Sequence, residues 1–350
     1  MKRVAVIGTG YIAREHLDCL RSLPSVEVVG VCDISAVMAE ATADEFHVPR
    51  WFTRHDELLR ELRPDVVHVT TPARSHVQLA TEAIEAGAHV IVEKPLALDL
   101  VELERLCALA RRHGRILLED QNYLFNDAVE KIRELMREGA LGEIVHVDAS
   151  FAVDVLGKGS RFSDSDAPHP SSSLPGGVVS DFVTHLAYLA YAFVGRPRSV
   201  QTLWNKRGDG AMPRWDEFRA LVEAERGTAF LSFSARAQPD AFQLRVHGTR
   251  MRATASLFEP LLSIERLRGG PRPLLPLRNG FSVARAHVES ALRGLSRKLK
   301  GLPVTYTGLW RLLERFYASL EAGSSPPLSL EWIEDVNRLV LDLVAQEPKP

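Results

Sequence analysis

The sequence predicts an α/β domain built on a doubly wound parallel sheet, followed by an α+β domain with a mostly antiparallel sheet. Three observations carry this reading. Short apolar runs alternate with helix-like stretches from Val4 to Asp120, the pattern of strand–helix–strand units. Period-two runs then replace them, in "EFRALVEAER", "GTAFLSFSARA" and "AFQLRVHGTRMRATAS", as expected of antiparallel strands with one face packed. From about Ser282 the periodicity returns to helix and closes in "SLEWIEDVNRLVLDLVAQ", with Ser329 as its cap.

The first strand, Val4–Ile7, is apolar throughout, as a strand buried on both faces must be. It ends in "GTGYIA", a GxGxxA spacing in which Gly8 permits the tight turn, Gly10 lets backbone approach a pyrophosphate, and Ala13 lets the following helix pack close. The helix start offers free N–H groups and a positive dipole end to the same phosphate. The second strand, "VEVVGVCD", ends in Asp33, where such folds place the acid that binds the adenosine ribose. A carboxylate there repels a 2′-phosphate, and Ile34 and Ser35 bring no arginine to offset it, so NAD is favoured over NADP. The alternative is that Asp33 only caps the helix beginning near Ser35.

"PDVVHVTTP" then gives a strand and loop, "SHVQLATEAIEAGA" a helix, and "HVIV" a strand that runs directly into Glu93, Lys94 and Pro95. "LDLVELERLCALARRHG" is a helix stopped by Gly114, and "RILLED" a further strand. Ligands of doubly wound sheets bind at the carboxyl ends of the strands, which is where Glu93-Lys94-Pro95 sits. Pro95 restricts Lys94 to extended backbone.

With 350 residues, two domains are expected: 1–121 for the dinucleotide and 122–350 for substrate and subunit contacts, the last helix being a candidate to pack back on the first domain. Hydrophobic residues make up 45%, charged residues 25% and the formal net charge is −2, so nothing global draws the chain to nucleic acid or anionic lipid. Cys19, Cys32 and Cys107 have neither disulfide nor zinc spacing, so no metal is expected and a reducing, cytoplasmic compartment is. "MKRVAVIGTG" passes straight into a strand without a signal peptide. The most apolar stretch, "VVSDFVTHLAYLAYAFVG", carries Asp181 and His185 and is too polar for a membrane span.

"GTGYIAREHL", "TTPARSHVQLATEAIEAGAHVIVEKPLAL" and "GGVVSDFVTH" resemble the glucose–fructose oxidoreductase/inositol dehydrogenase/rhizopine-catabolism (Gfo/Idh/MocA) family of dinucleotide-dependent oxidoreductases. The resemblance implies a Rossmann domain, a second domain whose open sheet serves as a subunit interface, and a homodimer or homotetramer. It implies an NAD-dependent oxidoreductase acting on a secondary hydroxyl or ketone of a sugar, cyclitol or nucleotide sugar. Gly8, Gly10, Tyr11, Ile12, Asp33, Thr71, Pro72, His76, Glu93 and Lys94 fall on its cofactor side, with Glu93 structural and His76 as readily a satisfied helix-start histidine. Lys94, Asp181 and His185 fall on its proton-transfer and substrate side, the helix face of the latter two lying across the cleft from Lys94.

Asp181 and His185 stand four apart and so share a helix face. Alcohol oxidation needs a hydride acceptor and a group that takes the hydroxyl proton. An imidazole ordinarily titrates near 6.5 and a lysine near 10.4, which makes His185 the readier base and Lys94 a charged donor to the substrate oxygen; the reverse stays open if burial and the nicotinamide charge depress the lysine. Asp181 orients His185 or grips a second hydroxyl. Tyr123, Arg161 and His169 are the further substrate candidates, the latter two within "LGKGSRFSDSDAPHPSSSLPGG", read as a substrate loop or lid. The chain departs from the family in Pro175 before Gly176-Gly177, in Val183 for a glycine, and in Tyr188 for an acid. The basic run Arg293 to Gly301 suggests a diphosphate or membrane contact, or a solvated helix face. Two rival functions remain: a non-catalytic NAD-bound sensor, and a glycosidase using transient oxidation.

Overall fold

A computed structural model describes residues 1–155, 157, 160, 162, 169–208, 213–259, 261–266, 275–299 and 306–349. The chain divides into two compact units, Met1–Gln121 with Leu309–Leu341, and Asn122–Gly308 with Asp342–Pro350.

The first unit holds a six-stranded sheet in the order β3-β2-β1-β4-β5-β6, with every pairing parallel. Its strands are β1 (Lys2–Ile7), β2 (Val26–Cys32), β3 (Trp51–Phe52), β4 (Val66–Val69), β5 (His89–Val92) and β6 (Leu117–Glu119). The helices α1 (Tyr11–Ser22), α2 (Ala36–Phe46), α3 (His55–Leu62), α4 (His76–Glu85) and α5 (Leu100–His113) connect them. Val4–Val6, Val66–Val67 and Val90–Val92 are fully buried, as strands covered on both faces require. The order reverses between β1 and β4, the point where such sheets bind their ligands. Two later helices, α9 (Thr307–Ala322) and α10 (Leu330–Val344), give most of their length to this unit. Ser329 Oγ accepts from Trp332 N at 3.1 Å and caps α10.

The second unit holds a seven-stranded sheet in the order β13-β12-β11-β7-β10-β9-β8. Its strands are β7 (Ile144–Ala152), β8 (Pro197–Asn205), β9 (Glu217–Ala224), β10 (Gly227–Ser234), β11 (Ala241–Gly248), β12 (Met251–Ser256) and β13 (Leu261–Arg266). The β7–β10 pairing is parallel and the others antiparallel. Alternation is clear on β9, where Phe218, Ala220, Val222 and Ala224 are buried and Leu221 is exposed. The helices are α6 (Asp127–Arg137), α7 (Val178–Val194) and α8 (Leu275–Leu299). α8 begins seven residues before the expected Ser282, in a stretch where Pro273, Pro276 and Gly280 hide the helical period.

Candidate active site

In the first unit the glycine loop meets β4 at the switch point. Thr70 N donates to Ile7 O at 2.8 Å and Thr70 Oγ1 to Gly8 O at 2.7 Å. Gly8 has φ +94°, and a Cβ there would stand 2.8 Å from Thr70 and Thr71 atoms. Gly10 differs: its φ is −69°, and a Cβ would meet nothing within 4 Å. The protein itself therefore does not need glycine at this position. The open space lies before the N-terminus of α1, which has no side-chain cap and no acid in its first turn, so its N–H groups and dipole suit a pyrophosphate. Tyr11 is exposed and Ile12 half-buried in that first turn.

Asp33 is a connector as well as a ribose candidate. Its Oδ2 accepts from Thr9 N at 2.9 Å and Thr9 Oγ1 at 3.0 Å, and its Oδ1 from Ser35 N at 2.9 Å. A carboxylate offers about four acceptor sites, so one remains for a ribose hydroxyl. The cap of α2 is Ser35, whose Oγ accepts from Met38 N at 3.4 Å; the reading of Asp33 as that helix's cap is set aside. His76 is buried, with Nδ1 2.9 Å from Pro95 O and Nε2 2.7 Å from Thr71 O. Burial lowers its pKa, and the two carbonyls pull the other way. It clasps the Thr71-Pro72 loop to the Lys94-Pro95 turn, whose peptide bond is cis.

Behind Lys94 runs a buried polar chain that the sequence reading missed. His16 Nε2 lies 3.1 Å from Glu93 Oε1, His16 Nδ1 lies 2.8 Å from His68 Nδ1, and His68 Nε2 lies 2.7 Å from the Tyr317 hydroxyl. Asp120 completes it by a hydrogen bond to Glu93. Burial first, and the charge of Glu93 second, push the Asp120 carboxyl well up, so it holds a proton to donate. Burial also pushes Glu93 up, but hydrogen bonds from His16 and Asp120 outweigh it and hold that carboxyl below its ordinary value. His16, Glu93 and Asp120 offer ligand atoms within 4.8 Å of one another; the mutual hydrogen bonds meet their polar demand apart from Asp120 Oδ1, which lacks a protein partner. Glu119 ties β6 to α10, accepting from Leu96 N at 2.9 Å, Gln121 Nε2 at 2.7 Å and Asn337 Nδ2 at 2.8 Å.

In the second unit α7 starts at Gly177, whose φ is +61°, after Gly176 at φ +73°. A Cβ on Gly176 would stand 2.6 Å from Ser180 Oγ and 2.8 Å from Trp204, so this glycine is fixed by its neighbours. α7 carries Asp181 in its first turn and His185 one turn on. His185 is buried, its Nδ1 2.8 Å from the Tyr188 hydroxyl. That hydroxyl stands 3.3 Å from Asn122 Oδ1 and accepts from Tyr123 N at 3.4 Å. The Tyr123 ring meets His185 edge-on, centroids 5.1 Å apart, and Phe151 and Phe242 extend this aromatic wall. The Tyr188 hydroxyl thus holds the imidazole. His169 caps a short 3-10 turn, its Nδ1 2.8 Å from Ser171 Oγ, and lines a cavity with Phe162, Leu174, Arg214 and Glu347. Arg161 lies outside the described residues, as does part of the loop from Leu156 to Gly177.

The fold and these sites define a dinucleotide-binding oxidoreductase. Residues 2–121 match the model of the oxidoreductase family with an NAD-binding Rossmann fold, and residues 129–254 match the GFO/IDH/MocA C-terminal domain; the chain belongs to the Gfo/Idh/MocA family. It is 27% identical over 308 residues to dTDP-3,4-didehydro-2,6-dideoxy-alpha-D-glucose 3-reductase of Actinomadura kijaniata, covering 83% of this chain and 88% of that one. It is 30% identical over 232 residues to D-glucoside 3-dehydrogenase of Escherichia coli, covering 63% and 64%. UDP-N-acetylglucosamine 3-dehydrogenase of Acidithiobacillus ferrooxidans has the same fold, with TM-score 0.73, 20% identity and coverage of 98% and 97%. No helix among the described residues is long and apolar enough to cross a membrane.

Proposed function

We propose that this protein is an NAD-dependent oxidoreductase that moves hydride to or from carbon 3 of a hexose ring held in a glycoside or a nucleotide sugar. The reading rests on His185, whose Nδ1 is engaged by Tyr188 at 2.8 Å, together with a family whose three relatives named above each act at a position numbered 3. Tyr188 has one hydroxyl hydrogen. Given to Asn122 Oδ1, it obliges His185 to keep its proton on Nδ1, which leaves Nε2 as the basic nitrogen for the substrate hydroxyl. NAD, when bound, supplies the hydride acceptor. Gly8 and Gly10 admit its pyrophosphate, and Asp33 takes its adenosine ribose. Lys94 donates a hydrogen bond to the reacting oxygen and stabilises charge developing there. Asp181 and Tyr123 orient the sugar. The outward sheet face bearing Leu203, Leu221 and Phe230 is assigned to the subunit contact of a homodimer or homotetramer, and the three buried free cysteines suit a reducing cytoplasm.

The test is a set of nucleotide hexoses and glycosides carrying deuterium at carbon 3, incubated with NAD. Deuterium recovered in the reduced cofactor supports the assignment. Deuterium retained in the sugar while NADH forms places the reaction at another carbon, and glycoside cleavage without NADH accumulation replaces it with transient oxidation.

A further inference from the structure

The chain is nearly neutral overall, yet one helix gathers positive charge beside an uncovered apolar stripe. α8 packs on β13 by one side, where Ser290 is buried and Val283, Ala286 and Gly294 are half-buried. Leu277, Phe281, Val288, Leu292, Leu295 and Leu299 are each more than half exposed. At 3.6 residues per turn these six fall within an arc of about 60°, on the side opposite Ser290. Single exposed apolar residues are ordinary, but a continuous row of six large ones along one helix marks a contact surface.

Charge identifies the kind of surface. α8 carries Arg278, Arg285, Arg293, Arg297 and Lys298 against the single acid Glu289. The nine residues before it, 266–274, add three arginines and no acid. Arg278 and Arg285 are exposed within a turn of the stripe, and Arg285 Nε donates to Glu289 Oε1 at 2.6 Å. A second copy of α8 would oppose this basic flank with another, whereas anionic headgroups complement it. A stripe of Leu and Phe bordered by arginines is the composition of a helix lying in the plane of a bilayer interface.

We propose that α8 is an in-plane anchor that seats the second unit on an anionic lipid surface. The stripe enters the headgroup boundary and Arg278 and Arg285 stay among the phosphates. The anchor is peripheral and does not depend on the hydride-transfer reading.

Co-sedimentation of the full chain with phosphatidylcholine vesicles containing roughly one-third phosphatidylglycerol tests it, against pure phosphatidylcholine as reference. The expected result is pelleting with the anionic vesicles only, weakened as salt rises. A Phe281→Glu/Leu292→Glu variant changes two exposed side chains, so its melting temperature should match the parent while vesicle binding falls at least about tenfold. Failure of the parent to pellet with anionic vesicles overturns the proposal. So does concentration-dependent self-association, seen by light scattering, that the variant abolishes, since the stripe then belongs to a second copy.

Discussion

The Tyr188 hydroxyl lies 2.8 Å from Nδ1 of His185, three residues back on α7. The pair does in one helix what a carboxylate–histidine pair does elsewhere: it fixes the ring's rotation and its tautomer. Tyr188→Phe removes the hydroxyl and keeps the buried ring. Steady-state kinetics should show kcat down by about tenfold to a hundredfold, an altered pH profile and an unchanged Kd for NADH. An unchanged kcat would mean that Tyr188 only packs.

Gly8 and Gly10 separate folding from cofactor binding. A Cβ on Gly8 meets backbone at 2.8 Å with φ +94°, so Gly8→Ala should cost about 2 kcal/mol or more. A Cβ on Gly10 meets nothing, so Gly10→Ala should keep the parent melting temperature while NADH affinity drops about tenfold, because the methyl occupies pyrophosphate space. Calorimetry with a fluorescence titration reads both. Intact NADH affinity in Gly10→Ala would move the cofactor elsewhere.

Asp33 spends three acceptor positions on Thr9 and Ser35 and stands beside exposed, uncharged Ile34. NADH should therefore bind at least about tenfold more tightly than NADPH. Asp33→Asn should narrow that ratio by removing the charge, with some loss of loop order. Tighter NADPH binding in the parent would refute the assignment.

The buried chain from Asp120 to Tyr317 shapes acid stability. Burial, and secondarily His16, hold His68 well below the ordinary imidazole range. In the unfolded chain a histidine titrates near 6.5. Below that pH the unfolded state takes up a proton that folded His68 refuses, so its contribution is present above about 6.5 and is lost as the pH falls. Asp120 acts with opposite sign: its raised carboxyl holds a proton that the unfolded chain releases above about 3.9, so its contribution is present in acid and fades as the pH rises through the folded value. Urea unfolding at pH 7, 6 and 5 should show His68→Gln with a shallower acid loss than the parent, the difference bounded by about 1.4 kcal/mol per pH unit for one proton. Tyr317→Phe should cost about 1–2 kcal/mol at every pH. Parallel pH slopes for parent and His68→Gln would show that His68 is not refusing the proton.

The parallel sheet was legible because its evidence is local. Val4–Ile7, Gly8 and Gly10 are contiguous, and strand β5 matches the run "HVIV" residue for residue. The antiparallel strands showed through their period of two for the same reason. What stayed hidden depends on partners far along the chain. His68 reads as one more residue in an apolar strand until Tyr317 reaches it from α9, and Glu119 as one more residue of the strand "RILLED" until Asn337 meets it from α10. Tyr188 read only as a departure from the family pattern, because spacing cannot say that its hydroxyl reaches the His185 imidazole. The stripe on α8 was present in the sequence as a repeat of Leu, Phe and Val, but which side of the helix meets β13 follows only from the fold.

The most direct measurement is NADH formation at 340 nm over a set of nucleotide hexoses and glycosides, run with the parent and with His185→Asn. The expected result is turnover of at least one of these sugars by the parent and a loss of at least about a hundredfold in the variant, with both proteins binding NADH equally. Equal turnover by the two proteins, or NADH binding by a parent that oxidises none of the sugars, would contradict the assignment of His185 as the base of a sugar dehydrogenase.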